Sequence, residues 1–133
     1  NSYKNNSIYA LNRLKSKGYQ IIATTPHNSD CDLFDIDVSK KIALFFGSEK
    51  EGCSQTILKS ADKRMKIPMY GFTESFNLSV SVSLCLQHIT YLLRKNKINW
   101  KIDDKTKNEI LLYWLRNSIK SVDKIEEKYK DNI

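Results

Sequence analysis

Residues 42–54, Ile-Ala-Leu-Phe-Phe-Gly-Ser-Glu-Lys-Glu-Gly-Cys-Ser, carry Gly47 and Gly52 at the G-x-x-x-x-G spacing of a phosphate-cradling loop, with Ser54 in its last position. The chemistry does not follow the spacing. Cys53 stands where such a loop needs a lysine, and Glu49 and Glu51 put negative charge where a polyphosphate would lie, which argues against a nucleoside triphosphate. A second special segment, 66–81, runs through Ile67-Pro68-Met69 to Gly71, Ser75 and Asn77. Three of the chain's four glycines, Gly47, Gly52 and Gly71, fall in these two segments, and glycine lets a backbone approach a ligand closely; Gly71 taken singly reads as a turn residue. Ser75 has no nearby histidine to serve as its base, so a nucleophilic serine is not the reading. Asn77 precedes a helical apolar run and suits an N-cap, a position whose free N–H groups can also meet anionic oxygen. His27 and His88 are isolated from each other, with His88 reading as a helix-surface residue, and Cys31, Cys53 and Cys85 lack metal-ligand spacing, so no metal site is expected. Tyr113 and Trp114 could stack on bases, but beside Leu111 and Leu115 at helical spacing they read as core or interface.

As a pair, Phe46-Gly47-Ser48-Glu49-Lys50-Glu51-Gly52 and Ile67-Pro68-Met69 with Gly71, Ser75, Asn77, Ser79 and Val80 resemble the second and third signature motifs of the SpoU/TrmH family, the ribose 2′-O-methyltransferases of the SPOUT superfamily. The resemblance covers residues 8–94 and is strongest from Ile42 onward. It implies a SPOUT-type trefoil-knotted parallel sheet flanked by helices, an α/β fold in which residues 68–94 pass through or behind the loop after Thr24 or Phe46. It implies S-adenosylmethionine as cofactor, held by Thr24, Gly47, Ile67, Met69 and Phe76, the last standing where the family usually has leucine. Glu49, Ser75 and Asn77 match the family's polar active-site positions. The activity implied is methyl transfer to a ribose 2′-hydroxyl of structured RNA, an in-line displacement that needs aligned reactants and removal of one proton. A tRNA guanosine is the expected acceptor, with ribosomal RNA as the alternative; a second class of reading is a non-catalytic RNA-binding or dimerisation module on the same scaffold. The match through Ser75-Phe76-Asn77 disfavours a base-methylating relative. The family's first motif, an Asn and an Arg on an earlier strand-to-helix segment, has no counterpart: Asn5 and Asn6 are not that motif, and Arg13 lies within the first helix. The expectation is an N-terminally truncated member that is inactive alone, homodimeric and cytoplasmic.

The elements that would hold these segments follow from periodicity. Ile8, Ala10, Leu11 and Leu14 recur at helical spacing before Gly18, and 19–24 reads as a buried strand. Residues 25–41 are polar, yet Leu33, Phe34, Ile36 and Val38 imply a loop pinned to the body. The unbroken apolar run 42–46 reads as a parallel strand covered on both faces, and Ser54 as the cap of a short helix reaching about residue 62. A third strand is expected over 65–68. Leu78, Val82, Cys85, Leu86, Ile89, Leu92 and Leu93 then form one helical stripe, with Ser79, Ser81 and Ser83 on its first turns allowing close approach. Asp103 or Asp104 caps a final helix whose stripe runs from Ile110 through Trp114, Leu115, Ser118 and Val122 to Ile125. The expected domains are 1–97, a partial knotted cofactor-binding domain, and 98–133, a helical extension.

Composition bounds the partners. At 133 residues, 41% hydrophobic and 28% charged, the chain has ordinary globular composition for one core. Its 22 Lys and Arg against 15 Asp and Glu leave +7, a surplus that attracts a polyanion without choosing one. No apolar run approaches membrane-spanning length, so no membrane partner is expected, and three cysteines without a framework read as reduced thiols.

Overall fold

The structure, a computed structural model, describes residues 6–130. Asn5 and residues 131–133 of the expected extension lie outside the described residues. The chain divides into two compact units, Asn1–Ile98 and Asn99–Ile133.

The first unit is a four-stranded parallel sheet with helices. Helix α1 (Ser7–Ser16) starts where the Asn6 Oδ1 accepts the Tyr9 N–H at 2.9 Å, and it buries Leu11. Strands β1 (Tyr19–Thr24), β2 (Cys31–Asp32), β3 (Lys41–Phe45) and β4 (Lys63–Lys66) lie in the order β2-β4-β1-β3, with helix α2 (Gln55–Ser60) between β3 and β4. Register is fixed by pairs such as Ala23 with Phe45, Thr24 with Met65 and Cys31 with Met65. β1 has neighbours on both sides, and its Ile21, Ile22 and Ala23 are buried as the sequence predicts. The Asp62 carboxylate ties α1 to the sheet, accepting the Ile21 N–H at 2.7 Å and pairing with Lys15 at 3.0 Å.

Helix α3 (Leu78–Lys95) packs into the core of this unit. Its Cys85 is fully buried against Ile22, Leu33, Ile36, Val38 and Met65, while Ile89, Leu92 and Leu93 pack around that core. Burial in apolar surroundings pushes the Cys85 thiol up to about 11. The pinned loop is therefore real: Leu33, Ile36 and Val38 close the core, although Phe34 turns outward.

Four expectations need correction. The sheet has a fourth strand, β2, inside the segment read as loop. β3 lies at an edge of the described sheet and its apolar run is half-buried, because β1 and not β3 occupies the doubly flanked position. His88 is partly buried rather than on the surface, its ring edge-on to Phe34 at 5.3 Å between centroids. The last helix is two.

Those two helices make the second unit. α4 (Asp104–Ser118) is capped by Asp103, whose carboxylate accepts the Thr106 N–H at 2.8 Å and the Thr106 hydroxyl at 2.7 Å. The chain then breaks at Ser121, in left-handed backbone at φ 58°, and resumes as α5 (Val122–Lys130). Arg116 spans the break, donating twice to Glu126 at 2.6 and 3.2 Å. No helix among the described residues is long and apolar enough to cross a membrane.

Candidate functional site

Parallel strands deliver their following loops to one edge of the sheet, and ligand sites form there. β1 ends at Thr24, β3 runs into residues 46–53, and β4 into 67–76; all three border one cavity of about 770 Å³. Its size lies within the range of roughly 300–1,000 Å³ typical of small-molecule sites.

The loop after β3 is closed on itself. Ser48 and Gly52 exchange backbone hydrogen bonds at 3.2 and 2.9 Å, and the Ser48 hydroxyl accepts the Glu51 N–H at 3.1 Å. Gly52 adopts φ +68°, which favours glycine. Gly47 is required for a different reason: a Cβ there would lie 1.9 Å from the Gly52 carbonyl carbon and 2.0 Å from the Cys53 nitrogen. The Thr24 hydroxyl and the Cys53 thiol both donate to the Phe45 carbonyl, at 3.1 and 3.5 Å, fastening the loop's base to two strand ends. Burial raises the Cys53 thiol pKa. Cys53, which displaces the lysine of a phosphate loop, is thus a packing residue.

Glu49 reaches from this loop to the start of α3. The Asn77 side-chain amide donates to the Glu49 Oε1 at 2.6 Å, and the Leu78 N–H approaches the same oxygen at 3.4 Å. Asn77 also caps its helix, its Oδ1 accepting the Ser79 N–H at 2.9 Å. The two readings of Asn77, cap and site residue, hold together: one carboxylate sits on a helix N-terminus, where its charge is favoured.

Of the residues singled out from the sequence, Thr24, Gly47, Glu49, Ile67, Met69, Ser75 and Phe76 all line the cavity, and Asn77 stands behind Glu49. Gly52 is also in the wall, whereas Gly71 is not. The structure adds Pro26, His27, Leu58, Lys59, Arg64, Glu74 and Ser81. Ser81 was legible, one helical turn beyond Asn77. His27 and Glu74 lie on different loops and approach to 3.9 Å, a pairing no spacing rule shows. Arg64, the arginine among the lining residues, is committed to Asp30 through two side-chain bonds of 3.2 and 2.7 Å. Those bonds hold the Asp30 carboxyl down at about 2.

Comparison with known proteins fits this geometry. The model of the SpoU rRNA Methylase family matches residues 2–87. A tRNA (guanosine(18)-2'-O)-methyltransferase of Borreliella burgdorferi is 39% identical over 126 residues, 95% of this chain and 57% of that protein. The crystal structure of the Aquifex aeolicus TrmH/SpoU tRNA modifying enzyme superposes with a TM-score of 0.74 at 28% identity, covering 85% of this chain and 59% of the other. An AdoMet-bound rRNA methyltransferase from Sinorhizobium meliloti gives 0.59 at 26% identity, over 65% and 33%. The chain thus spans a little over half the length of the Borreliella and Aquifex proteins.

Proposed function

The chain belongs to the SpoU rRNA methylase family, and from that premise we propose that it supplies the cofactor pocket and ribose-positioning groups of an S-adenosylmethionine-dependent RNA ribose 2′-O-methyltransferase acting on a tRNA guanosine. The observation that carries this reading is one cavity uniting both motif loops, with Glu49 and Asn77, 28 positions apart, joined at its wall. The tRNA guanosine follows the activity named for the Borreliella relative, and the cofactor follows the Sinorhizobium structure.

The lining suits that cofactor. Phe46, Ile67, Met69 and Phe76 offer apolar surface to an adenine ring and to the carbon chain beside the sulfonium, and the cavity volume admits a nucleoside with an amino-acid tail. Thr24, Gly47, Ile67, Met69 and Phe76 would hold it. When bound, it supplies an electrophilic methyl group on a sulfonium centre. The chain's own residues must align the acceptor. Glu49 is held through Oε1 by Asn77 and the first N–H of α3, and its Oε2 is the oxygen proposed to meet a ribose hydroxyl. The Ser75 hydroxyl, on the facing loop, is assigned to an RNA sugar or phosphate oxygen.

Tritiated methyl incorporation into undermodified tRNA, with ribosomal RNA as a parallel arm, tests this. In the full-length protein, Glu49→Ala and Asn77→Ala should each lower turnover at least about tenfold, a little over 1 kcal/mol of transition-state positioning. Unchanged turnover in both would sink the site assignment.

Two further parts of the reading accompany it. The trefoil knot is proposed from family membership, and an experimental backbone trace with residues 68–94 running outside the other loops would refute it. Self-association is proposed from the exposed Leu84, Leu86 and Tyr91 of α3 and, separately, the exposed Leu111, Tyr113 and Trp114 of α4. Light scattering should give a dimer, and a monomer at high micromolar concentration would count against it. With a tRNA as the proposed substrate, a cytoplasmic location is proposed alongside it.

A further inference from the structure

Tyr70 and Phe72 are 95% and 110% exposed, on the loop between β4 and α3. A ring left wholly in water forfeits the burial that ordinarily accounts for an aromatic side chain in a folded protein. Around them the loop sorts sharply. Ile67, Pro68, Met69 and Phe76 are half-buried, and Met69, Glu74, Ser75 and Phe76 line the cavity, whereas Tyr70 and Phe72, between Met69 and Glu74 in the chain, are not part of its lining. Gly71 between them is equally open, since a Cβ there would meet nothing within 4 Å.

We propose that Tyr70 and Phe72 form a stacking platform for an unpaired nucleobase of the substrate RNA, presenting the attached ribose to the cavity. This deepens the RNA reading above and rests on it. The occupant is an RNA base for three reasons. Bases splayed from single-stranded RNA are held on exposed aromatic faces, which accept any base because each has a π-face. The chain as a whole carries a +7 surplus that attracts a polyanion, and Lys50 and Lys59 stand on the cavity beside Glu49, Glu51 and Glu74, so contact with the phosphates flanking such a base falls to these two lysines. The apolar lining of Ile67, Met69 and Phe76 is the part of the cavity proposed above for the cofactor, which leaves the two exposed rings outside that lining to another occupant.

The test is a fluorescence-anisotropy titration of undermodified tRNA with the chain and with Tyr70→Ala, Phe72→Ala, the double variant, Phe72→Leu and Phe72→Trp, alongside calorimetry with S-adenosylmethionine. The double alanine variant should weaken RNA binding about tenfold or more, as loss of base stacking does. Phe72→Leu should behave like Phe72→Ala, since bulk without a π-face does not stack, and Phe72→Trp should retain parental affinity. Cofactor affinity should not change. If the parent chain binds tRNA and the double variant binds it equally well, the platform is refuted while the methyltransferase reading stands. If cofactor affinity falls instead, the rings serve the cofactor and the proposal fails. A parent chain that binds no RNA overturns both readings.

Discussion

The two loops that wall the cavity are built on opposite principles. Residues 47–53 form a closed ring of backbone bonds with no room for a Cβ at Gly47, and Cys53 is buried beneath. Residues 70–75 are exposed throughout, with two aromatic rings in water and a glycine whose Cβ would touch nothing. The first loop is formed before any ligand arrives, so it limits the geometry of what binds. The second has surface to spare, which suits it to contacts completed by a partner.

The sharpest way to break this comparison is the pair Gly47→Ala and Gly71→Ala. At Gly47 the added carbon meets backbone at 1.9 and 2.0 Å, so the loop must open. Thermal and denaturant unfolding should show a loss of about 3 kcal/mol or more, among the larger effects of single substitutions. At Gly71 there is open space, and the effect should be within about 0.5 kcal/mol, or slightly stabilising by restricting the unfolded chain. Equal effects would show that the loops do not differ as described.

Asn77→Ala should sharpen it next, because Asn77 joins the two sides. Loss of the helix cap should cost about 1 kcal/mol of stability. Asn77→Asp retains a capping oxygen but faces Glu49 with like charge, so it should hold the helix and still lose methyl transfer. If Asn77→Asp keeps full turnover, the amide-to-carboxylate bond is not what matters.

Acid titration gives the smallest expected effect. The Arg64 guanidinium holds the Asp30 carboxyl at about 2 against an ordinary 3.8. Because the folded value is the lower one, its contribution is present above about pH 4 and is lost as pH falls toward about 2. Asp30→Asn should therefore flatten the acid limb of a stability-pH curve in that window while leaving neutral-pH cofactor affinity unchanged. An unaltered acid limb would mean that the pair adds nothing to folding, as exposed pairs often do not.

What was legible in the sequence follows the same division. Strands β1 and β3, the long α3 and its Asn77 cap carry strong periodicity or cap chemistry, and the structure has them close to where expected. Leu33, Ile36 and Val38 announced a pinned segment, but β2 spans only Cys31–Asp32, too short to show any period, and so it read as loop. An apolar run such as Ile42–Phe46 reports a strand without reporting its place in the sheet, which is why an edge strand looked central. The break before α5 was hidden because Val122 and Ile125 continue the spacing of α4, while Ser121 takes a left-handed conformation that serine seldom announces. In the cavity, the motif residues were legible by type and order; the Asp30–Arg64 pair joins a loop to strand β4 and the His27–Glu74 pair joins two loops, and neither leaves a local trace.

The proposed role of the closed loop after β3 is to be the preformed half of an S-adenosylmethionine pocket. Titration calorimetry of S-adenosylmethionine into the chain, with Gly47→Ala and Gly71→Ala beside it, tests this most directly. One saturable site per chain is expected, abolished by Gly47→Ala and preserved in Gly71→Ala. Absence of binding to the parent chain, or equal binding by the folded Gly47→Ala variant, would contradict it.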